Sequence, residues 1–333
     1  MRIGVIGAGA IGGTIAGLLD RAGHQVEVTA RGATLAAIRA EGLRLDGRWG
    51  EHTARVGASQ TLSRSADLAF LATKAQDAES ALTANAAQLA GVPLVVVQNG
   101  LEGLETAARV LPGSPAFGAL ALYAAQNVEP GRVTITAPGT TVVDRSREAT
   151  ELLASVMPAQ VTDNFRGAQW TKLVINMVNG TPAATGLSVQ QTVEDPRLRR
   201  IVTGLIREAS RVGLAHGIRF DPIQGLSHAG VRAVAAAPLW AGQLLPRLMA
   251  RRMGSVPNLG STLQSLRRGQ LTEIDYLNGA VVAQAREVGL RAPVNQAVTD
   301  AVHEVERTGS FLTPAALEER VDAAVRAARA AAR

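Results

Sequence analysis

The sequence contains no cysteine. Disulfides, thiolate nucleophiles and thiolate metal sites are excluded together, and no metal is expected. Aromatic residues make up 3% of the chain, too few for a base-stacking platform. The 34 basic side chains are interspersed with 28 acidic ones, so the net charge of +6 does not predict a nucleic-acid partner. No apolar run reaches the roughly 18 residues that a bilayer span needs. The longest, near Ala233–Leu245, contains Pro238, and no membrane partner is expected. The opening MRIGVIGAG reads as a strand and not as an export signal, so a soluble cytoplasmic protein is expected. Lysine is also scarce. Among the basic residues only Lys74 and Lys172 are lysine, and all others are arginine. A lysine amine can give up a proton where a guanidinium cannot, which makes both positions candidates for proton chemistry.

What is present is a chain of 333 residues, 47% hydrophobic, long enough for two domains with separate cores. Arg2–Ile6 is a short apolar run, followed at once by Gly7-Ala8-Gly9-Ala10-Ile11-Gly12, an apolar-periodic helix through Leu19, and a second strand at Gln25–Ala30. A glycine loop in a strand–loop–helix–strand unit of this length is a dinucleotide-binding fingerprint. Gly7 serves the tight turn, Gly9 the approach of a pyrophosphate, and Gly12 close helix–strand packing. The helix amino terminus then presents N–H groups and a positive dipole end to phosphates. After the second strand a site selective for NAD carries Asp or Glu; here Thr29-Ala30-Arg31 stands instead. A guanidinium can bind a 2′-phosphate that a carboxylate would repel, so Arg31 favours NADP(H).

Leu68–Thr73 runs into Lys74, and Pro93–Val97 into Gln98-Asn99-Gly100. In doubly wound sheets ligands lie beyond the carboxyl ends of the strands, which puts Lys74 and Asn99 on the cofactor side. Shorter strands near Gly118–Tyr123, Val133–Thr136 and Thr141–Val143 suggest an antiparallel extension of the sheet. From about Phe165 helical spacing takes over, at Trp170–Val178, Arg197–Leu214, Asn258–Gln264, Glu273–Val288 and Pro293–Arg307. The expected organisation is an α/β protein: a Rossmann-type, doubly wound NADP(H)-binding domain over 1–165, then a mostly α-helical substrate and catalytic domain over 166–333. Asp221–Arg252 reads as extra helices, a lid or a subunit contact. Its apolar Ala233–Leu248 part leaves a homodimer open.

Lys172, Asn176 and Asn179 fall at i, i+4 and i+7, on one helical face, in a segment otherwise apolar. Such a stripe either faces solvent or lines a cleft. Glu273 and Asp275 lie about 200° apart on a helix and cannot form an acid/base pair at one site, and Thr272 can cap the helix that follows.

Together these residues resemble the ketopantoate reductase (2-dehydropantoate 2-reductase) family over nearly the whole chain. The resemblance rests on IGVIGAGAIGG, Arg31, Thr-Lys74, Gln-Asn99-Gly, Trp-Thr-Lys172-Leu-x-x-Asn176, Ser261-x-Leu-Gln and Thr-Glu273-Ile-Asp-Tyr-Leu-Asn-Gly279. It implies hydride transfer from NADPH to the keto carbon of a small 2-oxoacid, 2-dehydropantoate, on the way to pantothenate and coenzyme A. By the same analogy Lys172 is the proton donor, while Asn99, Asn176 and Ser261 hold the substrate. Lys74 and Glu273 sit at the cofactor–substrate boundary, and the backbone near Ala125 touches the cofactor. Partial desolvation should lower the Lys172 pKa, with Glu273 pulling the other way if close. One departure stands out. The family's second asparagine, eight residues after the lysine, is Gly180 here, preceded by Asn179. That shift swings the side chain about 100° around an α-helix, so Asn179 substitutes only if the helix is locally distorted. Otherwise the substrate lacks the distal hydroxyl. The competing functions are a reductase of another 2-oxoacid or an imine, and a non-catalytic NADP(H)-binding redox sensor.

Overall fold

Buried β-branched and leucine-rich runs that end at glycine or polar residues produce a parallel sheet in the first half of the chain. The computed structural model describes residues 1–252 and 257–331. It divides into two units, Met1–Phe165 and Arg166–Arg333, each with its own packing.

The strands of the first unit, in chain order, are β1 (Arg2–Ile6), β2 (Gln25–Thr29), β3 (Leu43–Gly47), β4 (His52–Ala54), β5 (Gly57–Ser59) and β6 (Leu68–Leu71). They are followed by β7 (Leu94–Val97), β8 (Ala116–Ala121), β9 (Ala124–Glu129), β10 (Arg132–Ala137), β11 (Thr141–Asp144) and β12 (Ala159–Thr162). Eight of them form one sheet in the order β12-β11-β8-β7-β6-β1-β2-β5. Both faces of this sheet are covered, as a parallel sheet requires. Ile3, Val5, Leu68, Phe70, Val95 and Val97 point to one core, and Ile6, Ala69, Leu71, Leu94 and Val96 to the other. This is the period-two alternation of strand side chains.

The short strands differ from the sequence expectation in two respects. β8 extends the parallel order by pairing with β7, and β11 runs antiparallel to it, followed by β12 parallel to β11. β10 belongs to a separate four-stranded sheet, β4-β3-β10-β9. The physical reason for the seat of β10 lies in the helix Ala10–Arg21. A Cβ on Gly13 would stand 2.8 Å from Val133, and one on Gly17 would overlap Leu45, so two glycines on one face let the second sheet lie directly on the helix. β10 is drawn there by Val133 and Ile135, both buried.

In the second unit the expected helices appear with shifted ends. Phe165–Asn176 is α-helical, and Met177–Asn179 continues it as a 3₁₀ turn before a six-residue helix, Gly180–Thr185. Pro196–Ala215 is the long central helix, its amino terminus capped by the Asp195 carboxylate, which accepts from the Arg197 and Leu198 N–H groups. Asp221–Arg252 yields helices, at His228–Ala236, Leu239–Gly242 and Leu244–Arg252. The helix expected from Asn258 starts at Gly260 and runs to Arg267, and Pro293–Thr308 matches its expected position. The stretch expected as one helix from Glu273 opens with a π-helical turn over Asp275–Gly279 before Ala280–Glu287. No helix among the described residues is long and apolar enough to cross a membrane.

Candidate active site

The nucleotide half is built at one edge of the first unit. β1, β6 and β7 are adjacent and parallel, so the residues after their carboxyl ends line up on the same edge. These are the Gly7–Gly12 loop, Thr73–Lys74 and Gln98–Asn99. The chain leaves β1 for β2 on one side and later returns to β6 on the other, the switch point at which open α/β sheets bind ligands.

The glycine loop has the expected form. Gly7 adopts φ +99°. A Cβ on Gly12 would collide with the Gly7 carbonyl oxygen and stand 3.0 Å from the Ala72 Cβ, whereas one on Gly9 meets nothing within 4 Å. Position 9 is therefore open towards a ligand and position 12 is closed by the fold. No side chain caps the helix that starts at Ala10, so its first-turn N–H groups are available to phosphate oxygens. Ala8, Ala10 and Ile11 contribute backbone to this cradle, and the residues present fit a dinucleotide. Thr29 fixes the loop from β2: its hydroxyl accepts the Gly7 N–H at 3.0 Å and its carbonyl accepts the Ala8 N–H at 3.0 Å. Arg31 is exposed two residues beyond β2, in extended conformation before the helix Gly32–Glu41.

Lys74 and Asn99 are both half-buried. Between them lies a clamp that sequence reasoning missed. The Gln98 amide donates to the Thr73 carbonyl at 2.9 Å, the Thr73 hydroxyl at 3.2 Å and the Lys74 carbonyl at 3.4 Å, tying the two loops together. The signal available was a polar residue at the end of an otherwise wholly apolar strand. Ala125 lies on β9, four residues past the carboxyl end of β8, paired with Ile135.

The chemical half lies in the second unit. In the helix Phe165–Asn176 the side chains of Trp170, Leu173 and Val174 are buried, as is Met177 just after it, whereas Lys172 and Asn176 are partly accessible. Burial nevertheless pushes the Lys172 amine down to about 8, and the nearby Glu273 charge opposes the shift without reversing it. Glu273 is half-buried just before the π-helical turn, and Asp275 points elsewhere, to His303 at 3.1 Å. The two carboxylates diverge, as their spacing requires. Thr272 does help to start the helix, its hydroxyl accepting the Ile274 N–H at 3.2 Å.

The local distortion that Asn179 needs is present. In the 3₁₀ turn Met177–Asn179 residues three apart eclipse one another, which brings Asn179 onto the azimuth of Asn176. Its amide oxygen lies 2.7 Å from the point where a Cβ on Gly260 would stand, beside the exposed Ser261. Gly260 has φ +67°, and Asn258 holds it there by accepting the Gly260 N–H at 2.8 Å. Position 180, by contrast, points into the interior: a Cβ there would stand 2.8 Å from Val298 and 2.9 Å from the Asn278 amide oxygen.

Comparison with known proteins decides the family. The model of the N-terminal domain of the ketopantoate reductase PanE/ApbA family matches residues 3–148, and that of its C-terminal domain matches residues 164–306. The chain belongs to the ketopantoate reductase family. It is accordingly an NAD(P)-dependent oxidoreductase. A 2-dehydropantoate 2-reductase of Archaeoglobus fulgidus is 29% identical over 92% of this chain and 98% of its own, and one of Mesorhizobium japonicum is 30% identical over 90% and 95%. The crystal structure of a PanE/ApbA family ketopantoate reductase from Ralstonia eutropha superposes with a TM-score of 0.81 at 30% identity, covering 92% of this chain and 99% of that one. The fold is shared more widely: D-mandelate dehydrogenase, solved with NADH and anilino(oxo)acetate, gives a TM-score of 0.76 at 19% identity over 92% and 99%.

Proposed function

We propose that the chain reduces a 2-oxoacid at the expense of NADPH, with Lys172 as the proton donor, and that this 2-oxoacid is 2-dehydropantoate. The single observation that carries the reading is the partly accessible, desolvated amine of Lys172, set beside Glu273 and on one face with Asn176 and Asn179. When bound, NADPH supplies hydride to the keto carbon. The chain's own part is to bind, orient and protonate. Gly7–Gly12 and the helix start at Ala10 hold the pyrophosphate, and Arg31 donates paired hydrogen bonds to the 2′-phosphate. Lys74, Asn99, Ala125 and Glu273 border the cofactor. As the carbonyl oxygen gains charge, the Lys172 ammonium stabilises it and then delivers its proton, a step arginine cannot perform. An amine near pKa 8 is still protonated at neutral pH, yet releases its proton far more readily than an ordinary lysine. Asn99, Asn176, Asn179 and Ser261 orient the substrate. A redox sensor would have no use for such an amine.

The curated relatives named 2-dehydropantoate 2-reductase support the choice of substrate. Asn179, eclipsing Asn176, stands in for the family asparagine missing at Gly180. That same replacement favours one second reading, a 2-oxoacid with a different distal group. The test is NADPH absorbance with 2-dehydropantoate and a panel of 2-oxoacids lacking its hydroxyl or carrying an aryl group. Turnover highest on 2-dehydropantoate supports the proposal; inactivity on it with turnover of another member retires the substrate but keeps the reaction.

A further inference from the structure

One long stretch of this chain carries basic residues and no acidic ones. Residues 222–272 hold six arginines, Arg232, Arg247, Arg251, Arg252, Arg267 and Arg268, and not one aspartate or glutamate. The whole formal charge of +6 resides in these 51 residues, and the remainder of the chain is balanced. The same stretch carries an exposed apolar stripe. Trp240 is 78% exposed, Leu244 60% and Leu248 44%, at intervals of four residues across Leu239–Gly242 and Leu244–Arg252. On the second helix Leu244, Arg247, Leu248 and Arg251 fall within an arc of about 100°, and the buried Pro246 and Ala250 occupy the opposite side. Pro246 and Ala250 pack inward, whereas Leu244 and Leu248 leave much of their apolar surface to solvent.

The electrostatics beneath this face point the same way. Arg199 is buried, and its guanidinium is bonded to the Gln243 side-chain oxygen at 3.0 Å and to the carbonyls of Val193 at 2.7 Å and Glu194 at 3.2 Å. Gln243 is the residue that joins the two helices of the stripe. Arg247 lies near enough for its charge to oppose that of Arg199, while Asp195 offsets it in part. Positive charge therefore accumulates behind the apolar stripe as well as along it.

We infer that the face formed by Trp240, Leu244, Arg247, Leu248 and Arg251 docks on an anionic phospholipid bilayer. A tryptophan and leucines that enter the headgroup–acyl boundary, with arginines on the same arc for the phosphates, are the chemistry of an interfacial helix. A second copy of this chain fits less well, because a two-fold contact would bring this cationic stretch against itself. A protein interface commonly mixes both signs at its rim, whereas 51 residues without an acid suit a uniformly negative surface. The expectation of no membrane partner came from the lack of a spanning segment; this face would lie on a bilayer without crossing it.

The test is co-sedimentation of the full-length protein with phosphatidylcholine vesicles and with vesicles of equal parts phosphatidylglycerol and phosphatidylcholine. Tryptophan emission is read in parallel, because of the three tryptophans Trp170 is buried, Trp49 half-buried and Trp240 exposed, and the Trp240 variant isolates its share. Binding to the anionic vesicles alone, weakened by salt and accompanied by a blue shift, supports the inference. Trp240→Ser/Leu244→Ser should remove the blue shift, and Arg247→Glu/Arg251→Glu should weaken binding roughly thirtyfold or more, at unchanged melting temperature. Equal affinity for neutral vesicles, no binding to either, or full binding by both variants overturns it. So does a dimer seen by light scattering that the apolar variant dissociates, or retention on poly-glutamate without retention on vesicles.

Discussion

The Asn278 amide oxygen occupies the space into which any side chain at Gly180 would grow, 2.9 Å from the missing Cβ. Asn278 is itself fixed, donating to Asn295 at 3.0 Å from within the π-helical turn. Restoring the family asparagine by Gly180→Asn should therefore fail as a gain of function. It overpacks a closed site and should cost about 1–3 kcal/mol, measured by denaturant unfolding. Asn179→Ala should leave stability nearly unchanged and raise the substrate KM about tenfold, because it removes the amide that eclipses Asn176.

Much of this was legible in the sequence, and for a consistent reason. The glycine loop, Arg31, Lys74 and Asn99 are set by local rules: a strand, a turn and a helix start encode their own positions. That Lys172 and Asn176 share one helix face follows from helical spacing, whereas their roles rest on the family resemblance. The legible part ends where tertiary contact decides. The 3₁₀ turn at Met177–Asn179 cannot be read from residue periodicity, and the seat of β10 in a second sheet depends on Gly13 and Gly17 in a helix more than a hundred residues earlier. The Gln98 clamp joins two strand ends, a contact between strands that no single strand encodes.

Gly9 and Gly12 separate binding from folding. Gly9→Ala adds a methyl into open space, so the melting temperature should hold while the cofactor KM rises. Gly12→Ala adds it against the Gly7 carbonyl, so the protein should lose stability outright. Thermal unfolding and NADPH titration of both variants check the contrast.

Arg31 carries the cofactor preference in this account. Arg31→Asp should raise the KM for NADPH at least tenfold and leave that for NADH unchanged or lower, since the carboxylate repels a 2′-phosphate and accepts from a 2′-hydroxyl. Steady-state rates with the two coenzymes measure it.

Glu208 links the central helix to the Asn295–Asn278 pair. Its carboxylate accepts the Val294 and Asn295 N–H groups at 3.0 and 2.9 Å and the Asn295 side chain at 2.8 Å. Burial still pushes it up to about 6. A carboxyl raised in the folded state contributes stability that is full below its unfolded value, near 4.5, and is lost as pH rises through about 6. The stability difference between wild type and Glu208→Gln should accordingly fall by about 2 kcal/mol between pH 4.5 and 7.5, as read by urea unfolding.

The proton donor is tested most directly by the pH dependence of kcat/KM, which reports groups of the free enzyme. With Lys172 at about 8 in the free protein, the wild-type kcat/KM should hold at neutral pH and decline tenfold per pH unit on the alkaline side. Lys172→Arg and Lys172→Ala should lose on the order of 100-fold or more and show no such limb. An alkaline limb that survives in Lys172→Ala, or a variant rate within a few-fold of wild type, would contradict the account.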